Sequence, residues 1–126
     1  MKKILKKNIL TGDVTGLTGN VSGLTGYVSG LYGDVSGLFG HVTGLTGHVS
    51  GIYGNVTGIT GDVSGITGDV TGLTGHASGI TGHASGITGD VSGIYGNVTG
   101  ITGNIDDAEL TDAERAAGVS IKDLIE

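Results

Sequence analysis

Leu10-Thr11-Gly12-Asp13-Val14-Thr15-Gly16 opens a pattern that recurs every seven residues. Its first five residues alternate between two faces, Leu10, Gly12 and Val14 on one and Thr11 and Asp13 on the other, which is the two-residue period of a β-strand. Thr15-Gly16 then reads as a bend. Glycines recur at alternating spacings of four and three from Gly12 to Gly103. Written from Gly12 the unit is G-x-V-[T/S]-G-[L/I]-[T/Y/F], and thirteen full copies run to Thr102. Fourteen short strands therefore follow one another, the last being Ile101-Thr102-Gly103-Asn104-Ile105.

Seven is also the period of a coiled coil, but two glycines per unit would cost a helix roughly 2 kcal/mol per heptad relative to alanine. Collagen is excluded because glycine does not fall at every third residue and proline is absent. The 28 glycines among 126 residues and the 4% aromatic content leave little material for an ordinary globular core, while a charged fraction of only 14% is too low for a charge-rich disordered chain. Absent cysteine removes disulfides, thiolate metal sites and thiol nucleophiles. What remains is an all-β fold, a parallel β-solenoid or β-roll in which each strand bonds to its counterpart one coil away. In this reading the bend glycines supply positive φ, and mid-strand glycines such as Gly12 and Gly19 point inward and narrow the waist.

The variable outward position sets the coil size. Stacking every second heptad gives one column that alternates carboxylate and imidazole through Asp34, His48, Asp62, His76 and Asp90. Stacking every third or fourth heptad instead sets aspartates side by side, which is unfavourable in a sheet. The reading is thus two repeats, fourteen residues, per coil and about seven coils. Within that ladder each His is expected to be raised in pKa and each Asp lowered by the other's charge.

The second outward position carries Thr or an aromatic residue. Thr46, Thr60, Thr74, Thr88 and Thr102 form a threonine rank on one face, and Tyr27, Phe39, Tyr53 and Tyr95 form an aromatic face able to stack on sugar rings or on a neighbouring rod. The threonine rank resembles that of ice-binding solenoids, although those pair two ranks as Thr-x-Thr and here the second rank is Asp, His or Asn. His48, Asp62 and His76 are consecutive in one column, but neighbours on a flat sheet rarely converge on a tetrahedral ion, so no metal is assigned. Bend Ser and Thr residues recur identically in every repeat, so no nucleophile stands out, and the reading is of a protein that is not an enzyme and carries no cofactor. The repeat region has no Lys or Arg, which argues against nucleic acid as partner.

The two ends differ in charge. Residues 1–9, a basic cap or edge strand, hold Lys2, Lys3, Lys6 and Lys7, four of the six basic residues, and read neither as a secretory signal nor as a membrane span. The repeat occupies 10–105. Residues 106–126 form an acidic cap holding seven of the twelve acids, among them Asp106, Asp107, Glu109, Asp112 and Glu114. Thr111-Asp-Ala-Glu114 has capping-box spacing, Gly118 sits where a short helix ends, and Val119 to Ile125 offer a final strand or turn over the open end. Opposite charges at the two ends suit head-to-tail contact between rods.

The G-[D/N]-V-[S/T]-G-[L/I]-[T/Y] tract, with the closing Asp112-Ala-Glu-Arg-Ala-Ala-Gly-Val119, resembles repeat segments of tailed-phage fibres and of environmental bacterial proteins over residues 10–125. A fourteen-residue coil is also similar to the head roll of trimeric autotransporter adhesins. The resemblance implies an extracellular or virion structural rod, a fibre or filament subunit that self-associates and is adhesive to a cell-surface glycan, with no catalytic residues to carry over. The second reading is a binding module for ice or glycan, using the threonine rank or the aromatic face.

Overall fold

The computed structural model describes residues 1–3 and 10–126. Its strands follow the heptads: β1 (Leu10–Thr11), β2 (Leu17–Thr18), β3 (Leu24–Tyr27), β4 (Leu31–Asp34), β5 (Leu38–His41), β6 (Leu45–His48), β7 (Ile52–Asn55), β8 (Ile59–Asp62), β9 (Ile66–Asp69), β10 (Leu73–His76), β11 (Ile80–His83), β12 (Ile87–Asp90), β13 (Ile94–Asn97), β14 (Gly103–Asn104) and, in the cap, β15 (Val119–Ser120). Odd-numbered strands form one sheet and even-numbered strands the other, all pairs being parallel. The protein is therefore a parallel β-solenoid in which alternate heptads fall in alternate sheets, as the repeat predicts.

The register departs from that prediction. Leu24 lies beside Gly40 and Thr25 beside His41, sixteen residues on, and the same offset places Leu45 beside Gly61 and Thr46 beside Asp62. The solenoid thus has about six coils of about sixteen residues, where the repeat suggests about seven of fourteen. Steric fit explains the two-residue stagger. An offset of fourteen sets Leu24 against Leu38 and glycine against glycine. With sixteen, each bulky inward residue lies beside a mid-strand glycine, and each bend glycine lies under the outward side chain of the next coil. A Cβ on Gly16 would stand 3.0 Å from Tyr32 Cβ, and one on Gly23 would stand 3.2 Å from Phe39 Cβ. Each strand consequently bonds in two directions, as overlapping tiles do: Leu31-Tyr32 pair with Gly47-His48 of the next coil, and Gly33-Asp34 with Leu17-Thr18 of the previous one.

The bends are β-turns in which the Leu or Ile N–H donates to the Val carbonyl three residues back, as Leu31 does to Val28 at 2.9 Å. Positive φ is concentrated elsewhere than the repeat suggests. Every described mid-strand glycine has φ between 86° and 131°, whereas among bend glycines only Gly44, Gly51, Gly58, Gly93 and Gly100 are positive. Nor do the mid-strand glycines leave a waist between the sheets, because an added Cβ would point at the next coil's surface groups. On Gly47 (φ 101°) it would collide with Asp62 Oδ1 and Ser64 Oγ.

The core is a double row of Leu or Ile and Val, with Ala77 and Ala84 as its small members, and no polar residue is buried in it. From Leu24 to Val98 every inward position is 4% exposed or less, but Val14 and Val21 of the first coil are 48% and 41% exposed. At the other end the cap begins with a 3-10 turn, Ile105–Ala108, followed by helix α1 (Asp112–Ala117). The expected capping box is present between Thr111 and Glu114, and Gly118 ends α1 with φ 89°. Strand β15 then pairs with β13 at Ile94 beside Val119, and a last 3-10 turn, Ile121–Leu124, buries Ile121. Arg115 fastens this cap to the coil below: Nη1 donates to the carbonyls of Asp90 (2.7 Å) and Ser92 (2.8 Å) and lies 3.7 Å from Asp90 Oδ1.

The two glycine classes should separate on mutation. Gly47→Ala imposes both collision and a left-handed backbone and should cost at least about 1–3 kcal/mol. Gly65→Ala, at a bend without positive φ and 3.1 Å from Thr81 Cγ2, should stay within about 1 kcal/mol of the parent. Urea denaturation of both variants measures the difference, and equal costs would remove the distinction.

Candidate functional site

The repeat presents the same residue types coil after coil, so the candidate surfaces are the two outer faces and the two ends. The faces are built on a hydrogen-bonded column that the stagger creates along each edge. From Ser29 to Thr99 the hydroxyl of each bend Ser or Thr stands beside the variable residue sixteen positions earlier and accepts its N–H: Ser36 from Asn20 (3.1 Å), Ser50 from Asp34 (2.8 Å), Thr57 from His41 (2.9 Å), Ser64 from His48 (3.0 Å). Where the bend's own variable residue is Asp or Asn, its side chain accepts the Ser or Thr N–H, an Asx-turn. Ser36 gives both its N–H (2.9 Å) and its hydroxyl (2.7 Å) to Asp34 Oδ1. The hydroxyl bonds tie each coil to the next, and the even-sheet column closes at the cap, where Asp106 Oδ1 replaces the hydroxyl and accepts the Asp90 N–H at 3.0 Å. The sequence shows Ser or Thr at every bend, but reading them only as bend formers misses that they are the acceptors for a strand's outward N–H.

The stagger also undoes the carboxylate–imidazole ladder. Asp62 lies beside Thr46, and His76 beside Thr60, so Asp34, His48, Asp62, His76 and Asp90 do not stack on one another. Imidazoles instead meet the outward residue of the preceding coil. Tyr32 and His48 place their rings 5.2 Å apart at 33°, and the Thr60 hydroxyl and His76 Nδ1 are 3.4 Å apart. Among the described residues the one ion pair joins Arg115 to Asp90. The aspartates are nonetheless held below the usual carboxylate range, by their own bends. At Asp34 and Asp62 the Ser36 and Ser64 hydroxyls and N–H groups do this, and at Asp13 and Asp69 those of Thr15 and Thr71. Burial raises Asp90, but the Ser92 N–H and hydroxyl and the Arg115 charge outweigh it.

The threonine rank is interleaved for the same reason. Thr46, Thr60, Thr74 and Thr88 lie beside Asp62, His76, Asp90 and Asn104, while Thr102 falls outside the strands. Of the aromatic residues, Phe39 and Tyr53 occupy adjacent strands β5 and β7, with Tyr27 on β3 at the other outward position. Tyr95 on β13 is separated from them by β9 and β11. All four are about half exposed.

At the ends, Lys2 and Lys3 are exposed, and Lys6 and Lys7 lie outside the described residues. Two of the five acids singled out in the cap have internal partners. Asp106 terminates the hydroxyl column, and Glu114 is held low by the N–H and hydroxyl of Thr111 in the capping box. Asp107, Glu109 and Asp112 are exposed. Among the described residues no cluster of three His, Asp or Glu side chains could hold a metal ion, and no helix is long and apolar enough to cross a membrane.

Because the aspartates are depressed in the folded state, their contribution to stability is present above the unfolded value near about 4 and is lost as pH falls through the lower folded values. The melting temperature should therefore fall on acidification below about pH 4. Asn20 and Asn55 make the same bend bond, to Ser22 N–H at 3.0 Å and Thr57 N–H at 2.9 Å. The triple variant Asp34→Asn, Asp62→Asn, Asp69→Asn should accordingly keep its melting temperature at neutral pH and show a flatter acid limb by circular dichroism. An unchanged acid limb would assign the loss to other groups. No protein-family model, curated protein or solved structure matches this chain.

Proposed function

We propose that the protein is a structural rod, a module of an extracellular or virion fibre or filament. The observation that carries this reading is the unbroken column of Ser and Thr hydroxyls along each edge. From Asp13 to His83 every coil is tied to the next by the same hydroxyl bonds. Such a structure distributes load through repeated parallel ladders and gives up none of its interior to a ligand, since every inward position of the middle coils is filled by an aliphatic side chain. The exposed Phe39 and Tyr53, on adjacent strands of one sheet, favour adhesion as a second role of the same rod, because aromatic rings held on a rigid sheet suit a sugar face.

Small-angle scattering tests the rod. A chain lacking residues 59–72, two whole heptads, should remain folded, keep its cross-section and lose length. Wholesale unfolding of that chain would overturn the reading. Glycan binding by the intact chain that Phe39→Ser and Tyr53→Ser abolish and the deletion spares would support the adhesive role, and its absence would remove that role while leaving the rod.

A further inference from the structure

The two sheets finish differently. The odd sheet is closed by β15, whose Val119 N–H donates to the Gly93 carbonyl at 2.8 Å, but the even sheet stops at β14. Upstream, a bend-glycine carbonyl accepts the glycine N–H seventeen residues on, as Gly72 does from Gly89, and the next outward carbonyl accepts a Val N–H, as Thr74 does from Val91. Among the described residues no N–H reaches the corresponding carbonyls of Gly100 and Thr102. The space beyond is also open. A Cβ on Gly72 or Gly75 would meet Thr88 or Asp90 of the next coil, whereas one on Gly100 or Gly103 would meet nothing within 4 Å. Beside this edge lies a groove of about 230 Å³ lined in part by Ile101, Ile105, Leu124 and Ile125, with Asp107 and Glu126 at its border.

The opposite end has what this edge lacks. Val14 and Val21 are 48% and 41% exposed, although every valine from Val28 to Val98 is 3% exposed or less. Four lysines lie within the first nine residues, while the cap from Asp106 onward holds seven acidic and two basic side chains. We propose that the seat beyond β14 receives β1 of a second copy of this chain, joining rods head to tail by a parallel strand pair. In the join Gly12 N–H and Val14 N–H donate to the carbonyls of Gly100 and Thr102, and the Asn104 N–H donates to Thr15 Oγ. Each is the repeat position that makes the same bond inside the chain. Val14 fills the groove, and the exposed Lys2 and Lys3 of one copy meet the acidic cap of the other. The second copy is the favoured occupant because its first strand carries the repeat in the required register together with the complementary charge.

This join rests on the rod reading and is tested apart from it. Sedimentation velocity and negative-stain imaging of the full chain over a concentration series, at low and high salt, should show particles growing in whole-rod steps, less at high salt. Val14→Glu and Ile125→Glu, both at exposed positions, should each remain single rods with unchanged circular dichroism. Mixed together they should form dimers and nothing longer, since each variant keeps one intact end. Wild-type rods that stay single at every concentration would overturn the join while leaving the scattering result for the rod intact. Assembly that neither variant reduces, or a mixture of the two that forms no dimer, would overturn it as well.

Discussion

The two-residue stagger between successive coils is the constraint from which the other features follow. A strand that pairs with its neighbour at sixteen residues, on a sequence that repeats at fourteen, cannot stack like upon like. Leu and Ile come to rest beside glycine, outward Thr beside Asp or His, and the bend hydroxyl beside an N–H. The offset turns a repetitive sequence into one whose neighbours are always unlike. That is why so poor an alphabet packs without self-collision.

The same constraint divides the labour of the glycines. Bend glycines such as Gly16 and Gly23 are small because Tyr32 and Phe39 of the next coil lie against them. Mid-strand glycines such as Gly47 are small for a second reason as well, since the strand turns there into the left-handed region so that its two halves can pair in opposite directions. Ser and Thr then satisfy the outward N–H with side-chain oxygen. An N–H at the solvent edge of a narrow roll is thereby protected by a hydroxyl that its own bend orients, as Asp34 orients Ser36.

Much of this was legible in the residues and one central thing was not. The strand alternation of Leu10 to Val14, the assignment of alternate heptads to two sheets, the Thr111–Glu114 capping box and the helix end at Gly118 all follow from local chemistry. Register does not, because a slip of two residues returns every side chain to the same face. Hydrophobic pattern therefore cannot tell fourteen from sixteen, and the charge pattern of Asp34, His48 and Asp62 favoured the wrong one of the two. The signal that distinguishes them was present in the bends, which hold a hydroxyl in every repeat, more consistently than a bend alone requires. The Tyr32–His48 contact is legible only once that register is known.

The pairing of β15 with β13 bears on how this molecule can change length. Ile94 and Val119 are neighbours at an offset of twenty-five, nine more than the coil offset, so Ile105–Ala108 and α1 occupy a detour before the chain rejoins its sheet. On rejoining, Val119-Ser120-Ile121 behaves as a worn copy of the repeat: Ser120 accepts from Lys122 N–H and Ile121 fills the inward seat. The detour is fixed to one side of the rod, because Arg115 must find the carbonyls of Asp90 and Ser92. Adding or losing a heptad upstream of these residues would turn the cap by half a circuit relative to the first strand while leaving β13, Asp90 and Ser92 in place beneath it. The cap therefore reads only the coil beneath it, and the repeat upstream can lengthen or shorten by single heptads without disturbing that seat.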